Sequence, residues 1–238
     1  RARLTADPRI WGCRPSAPVA EMPSFAIIPA APILLAGVDL AETANVARLR
    51  AWIESSLMCR PAWALPVREL PPLAGLGGLG IDLGLDTRTN ELLEGEDWLQ
   101  AVSELSPALR AACESAHPGI AVALLHAHSV GVRVGPLGST DDLLVPIDLS
   151  VAASENAPLA PVPGAAEVDE RIVRSLTVGG ARTVASAISA ADDVHADLDL
   201  LAAAAAHMLD QESSDYSFDT VFDDYVHEVR SLCGTGTY

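Results

Sequence analysis

The run S-F-A-I-I-P-A-A-P-I-L-L-A-G-V-D-L at residues 24–40 constrains the fold more than any other feature of the chain. After a leading serine it opens on apolar, aromatic and β-branched residues, and Pro29 and Pro32 then interrupt it. Prolines so closely spaced oppose a continuous helix. The run therefore reads as a buried strand that leads into a loop. A basic, irregular segment precedes it, as in a secretory signal, but Glu21 lies against the apolar run and no small-x-small cleavage pattern comes after it. The run is also shorter than the roughly 20 residues that a membrane helix needs. Residues 1–21 are expected to be a disordered extension, and residues 22–238 the folded domain of a cytoplasmic protein.

Helical periodicity alternates with further short apolar runs. Val46, Leu49, Ile53 and Leu57 recur every three or four residues and mark the buried stripe of a helix. A second short strand is expected at Trp63–Val67. Residues 98–116 read as a helix with a stripe of Leu99, Val102, Leu105, Leu109 and Ala112, kinked or restarted at Pro107 and stopped by H-P-G at 117–119. The apolar run I-A-V-A-L-L-H-A-H-S-V-G-V-R-V (120–134) reads as a strand covered on both faces, and L-L-V-P-I-D-L (143–149) as another. After a Pro-rich linker (155–167), Val168, Ile172 and Leu176 open a helical part, broken at Gly179-Gly180 and continued by an Ala-rich helix. Residues 216–232 read as a late strand or helix. This order predicts an α/β fold: a mostly parallel or mixed central sheet flanked by helices, in one domain with a helical C-terminal part. Ligands of such sheets bind beyond the carboxyl ends of the strands, which selects P-A-A-P at 29–32 and H-S-V-G at 128–131.

A net charge of −17 excludes a nucleic-acid footprint and opposes binding to an anionic membrane surface. Residues 192–228 hold eleven Asp or Glu and no Arg; they read as a solvated face or as a docking surface for a basic partner. Cys13, Cys59, Cys113 and Cys233 are scattered with no C-x-x-C, as in a reducing compartment. The Gly-rich stretch 73–85 lacks the phosphate-loop pattern, and the chain has no lysine, so it reads as a flexible or tightly turning loop. Neither Ser129 nor Ser139 lies in G-x-S-x-G. No catalytic residue and no cofactor-binding motif stands out.

His126 and His128 are the candidate metal ligands. On a strand both imidazoles face one side, roughly 7 Å apart, where they could hold Fe(II) or Zn with a carboxylate from Asp141, Asp142 or Asp148. The other reading makes one a hydrogen-bonded core residue and the other a strand-end residue.

The opening M-P-S-F-A-I-I-P-A-A-P-I-L-L-A-G-V, the helix A-R-L-R-A-W-I-E-S-S-L, the run V-A-L-L-H-A-H-S-V-G-V-R and the helical segment from Val168 succeed one another in a family-like order. Over residues 22–232 the chain resembles small actinobacterial proteins related to the class III extradiol ring-cleavage dioxygenases. That resemblance implies an α/β fold and, in active members, Fe(II) held by two His and a Glu for opening an aromatic diol with dioxygen. It places one of those histidines in the loop after the first strand, where this chain has Ala30 and Ala31. No S-P-H-type loop for the second comes after Trp63–Val67, and His126-Ala127-His128 stands where the family has Gly-Asp-Gly. The expected function is thus a non-catalytic or altered relative that binds a small ligand or a partner, with no cofactor. Two alternatives remain: a metal-dependent oxidoreductase with a relocated His126/His128 site, and an acidic interaction subunit in a homo- or hetero-oligomer.

Overall fold

Alternation along the first strand, β1 (Ser24–Pro29), sorts its side chains between two cores. Ala26 and Ile28 enter one, Phe25 and Ile27 the other, and all four are fully buried. A strand with both faces covered belongs in the middle of an α/β sheet. The computed structural model describes residues 22–39, 43–189, 191, 194–211 and 216–238. The expected extension at residues 1–21 and the approach to the first helix at 40–42 lie outside the described residues.

In chain order the remaining elements are α1 (Ala44–Leu57), β2 (Ala62–Ala64), β3 (Leu73–Gly75), β4 (Leu83–Asp86), β5 (Glu91–Glu94), α2 (Glu96–Glu104), α3 (Pro107–Glu114), α4 (Pro118–Ser129), β6 (Arg133–Gly135), β7 (Leu143–Ile147), α5 (Ala165–Val178), α6 (Ala181–Ile188), α7 (Asp199–Asp210), β8 (Ser217–Val226) and β9 (Val229–Thr237). The main sheet runs β6-β2-β7-β1-β9-β8. Its first four strands are parallel, while β9 pairs antiparallel with β1 and β8 antiparallel with β9. Helices α1 and α4 contribute to the core on the Ala26/Ile28 side, and α5, α6 and α7 to that on the Phe25/Ile27 side. The α/β fold class expected from the sequence is the one observed. No helix among the described residues is long and apolar enough to cross a membrane.

Some local expectations are corrected and others narrowed to one of their alternatives. Residues 120–129 form the helix α4, not a strand. A continuous apolar run fits a helix buried all round as well as a buried strand, and Ala121, Ala123, Leu124, Leu125 and Ala127 are good helix formers. H-P-G starts this helix instead of stopping the one before: the His117 side chain caps it and Pro118 takes its first turn. Residues 98–116 form two helices, because Ser106 caps α3 and Pro107 begins it. Within α2 only Trp98 is buried, and Leu99 and Leu109 of the expected stripe are exposed. The late segment resolves as a hairpin whose turn, His227-Glu228, has positive φ at both residues, as a two-residue type I′ turn demands.

The Gly-rich stretch builds a separate antiparallel sheet, β3-β4-β5. Trp98 lies flat on it. A Cβ at Gly75 would fall 2.2 Å, and one at Gly84 2.3 Å, from the indole ring. These glycines make room for an indole, not for a phosphate. Gly84→Ala should therefore destabilise the protein by on the order of 2 kcal/mol through overpacking, and much of that loss should disappear in a Trp98→Leu background; urea denaturation of the four proteins of this cycle checks it.

Candidate functional site

The carboxyl ends of β1 and β7 lie side by side at one sheet edge. Ala30, one residue past β1, donates its N–H to Ile147 O at 2.8 Å and to Asp148 Oδ1 at 3.2 Å. Asp148, one residue past β7, is joined to Asp197 by two backbone hydrogen bonds, of 3.0 and 2.8 Å. Directly opposed residues of such a bridge send their side chains to the same side. The two carboxylates are therefore neighbours.

The start of α4 closes this corner. His117 Nδ1 accepts the Gly119 N–H at 3.0 Å, so the neutral ring carries its proton on Nε2, which donates to Asp197 Oδ1 at 2.7 Å. A Cβ at Gly119 would lie 3.2 Å from the Ala30 methyl. The glycine is what lets helix and strand end meet. The His117 side chain is 16% exposed and that of Asp197 41%, so the pair runs from the interior to solvent.

Electrostatics at this corner favour proton exchange. Burial pushes Asp148 up to about 7, and the charge of Asp197 adds to it; the Ala30 N–H and His117 oppose the shift. His117 is raised above the usual imidazole value by its hydrogen bond to Asp197, with burial opposing and Asp199 and Asp148 contributing. A carboxyl that titrates near neutrality beside a His–Asp pair can give or take a proton from a bound molecule.

Of the sequence-predicted positions, P-A-A-P falls at this edge and Asp148 with it. His126 and His128 do not. They occupy the last turn of α4, His126 lying about 14 Å of helix rise beyond His117. Residues two apart on a helix point about 200° apart, so the shared-face geometry expected of a strand is absent. His126 is buried, its Nε2 lacks a hydrogen-bond partner among the described residues, and burial holds it down to about 4, with Arg50 adding to the effect. His128 Nδ1 is likewise buried, without a partner among the described residues. Asp142 is engaged at the amino end of β1, accepting the Ser24 N–H and pairing with Arg60 at 3.3 Å. Among the described residues no group of three or more His, Cys, Asp or Glu side chains is arranged to hold a metal. The residues at the carboxyl edge do not fit the two-His-one-Glu iron set that the resemblance implies: Ala30 and Ala31 fill the first loop, and both nitrogens of His117 are engaged.

Sequence reasoning missed His117 and Asp197. The signal for the first was H-P-G read as a helix start; the second had no local signal. Comparison with known proteins finds no family model and no curated protein that matches the chain.

Asp148 and His126 should give opposite pH responses. An ordinary aspartate titrates near 3.8, and Asp148 near 7 in the fold. Its contribution to stability is thus complete below about pH 4 and lost as the pH rises through 7. Asp148→Asn should be more stable than wild type at pH 8, by on the order of 2 kcal/mol, with the gain fading by pH 4. Urea melts at the two pH values check this. For His126 the sign reverses: the folded-state value is depressed, so stability present above 6.5 is lost as the pH falls through about 4. His126→Leu should flatten that acid limb in thermal melts.

Proposed function

We propose that this protein is an altered relative of the extradiol-dioxygenase fold that binds a small hydroxylated ligand at the carboxyl edge of its sheet, using His117, Asp197 and Asp148 in place of the family's iron. One observation carries the reading: a carboxyl titrating near 7 sits beside a His–Asp pair where β1 and β7 end. Edges of this kind are where α/β sheets bind ligands. Ionised Asp148 accepts a ligand hydroxyl, and a charge-assisted hydrogen bond of that sort is stronger than a neutral one. Binding should therefore tighten as the pH rises from 6 to 8.

Catechol is the appropriate probe. Titration followed by calorimetry and by amide chemical shifts should show binding, with the largest shifts at Ala30, Gly119 and Asp148. Asp148→Asn should weaken it by about tenfold, the scale of one charged hydrogen bond, and remove the pH dependence; His117→Gln, which acts through Asp197 because both ring nitrogens are engaged within the protein, should weaken it less. No ring opening is expected with added Fe(II). Stoichiometric iron or zinc with ring-opening activity, both lost on His126→Ala or His128→Ala, would overturn the reading in favour of a relocated metal site.

A further inference from the structure

A cavity of about 540 Å³ opens between the β3-β4-β5 sheet, α2, α3 and the start of α4. Its size suits a small organic molecule. Leu76, Leu79, Leu99, Val102 and Leu105 give it aliphatic walls. Leu79 and Leu99 remain 57% and 52% exposed, so apolar surface stands open to solvent. The Trp98 indole, only 6% exposed overall, supplies a flat wall held by the glycines beneath it.

Arg110 and Trp98 bring N–H groups to this lining. Arg110 Nη2 reaches the carbonyls of Val102 and Ser103 at the end of α2, at 3.2 and 3.3 Å. Its Nε has no hydrogen-bond partner among the described residues, but it is sealed off from solvent and so from a molecule in the cavity. Trp98 Nε1 lies 3.0 Å from where a Gly77 Cβ would stand, at the cavity wall. An apolar ligand that covered the indole N–H and brought no acceptor would leave it unsatisfied, at a cost. Charge narrows the choice further. The cation Arg110 is outnumbered by the exposed carboxylates of Asp82 and Glu114, which also line the cavity. An anionic ligand would meet net negative charge there.

We infer that this cavity is a binding site for an uncharged, largely apolar small molecule whose carbonyl oxygen accepts a hydrogen bond from Trp98. It is independent of the carboxyl-edge cluster and would stand if that reading failed.

The aryl ketone fluorophore Prodan tests it, beside its parent dimethylaminonaphthalene, which lacks the ketone, and the corresponding naphthoate. The full chain should bind Prodan one to one with blue-shifted emission, and both comparison molecules at least about fivefold more weakly, the scale of one buried hydrogen bond. Val102→Trp and Leu99→Trp, which fill the cavity from partly exposed positions, should abolish binding while leaving the thermal melt intact. Trp98→Phe should erase most of the preference for the ketone over the parent. Equal affinity for ketone and parent, tighter binding of the naphthoate, or indifference to both filling variants would overturn the assignment. So would light scattering that shows a dimer which Val102→Trp dissociates, since a second copy would then be the occupant.

Discussion

The parallel pairing of β1 with β7 fixes the place of every other part of this fold. Both strands are fully buried, so each face of the pair must be covered by helices, and the two cores meet across it. The ladder does not stop cleanly at the strand ends. Its last N–H, from Ala30, is divided between the Ile147 carbonyl and the Asp148 carboxylate. One hydrogen-bond donor thus serves the sheet and the candidate site together. The same burial that stabilises the pair raises the cost of ionising Asp148, so stability and proton affinity at this corner have a common origin.

The parts of the fold that were legible in the sequence are those set by local chemistry. Pro29 and Pro32 marked the end of β1, and the spacing of Val46, Leu49, Ile53 and Leu57 marked α1. Helix α4 was not legible from periodicity, because a segment buried from Gly119 to Ala127 has no polar face to give it a period. The site divided in the same way. Ala30 comes directly after a strand that could be read, so its position at the edge could be inferred; Asp148 falls within the run 143–149 that reads as a strand, and the fold ends that strand one residue before it. The contact between His117 and Asp197 spans 80 residues of chain, and no local pattern encodes it.

The glycines of residues 75–84 show how composition misleads without context. Their number invited comparison with a nucleotide-binding loop. Their function in the fold is close approach: Gly75 and Gly84 carry no side chain because Trp98 lies where one would be. The indole then forms a wall of an open cavity instead of sealing a core.

The antiparallel partner of β1 has a consequence for how the chain acquires its structure. Ser24 pairs with Thr237, and Ile27 with Gly234, so the strand that organises both cores borders on the last described segment of the chain. During synthesis β1 leaves the ribosome well before β9, and one of its edges stays bare until β9 arrives. Contacts of such long range slow folding and leave an apolar strand exposed to other chains in the interval. The hairpin of β8 and β9 therefore acts as a clasp, and the fold closes only when its far end comes home.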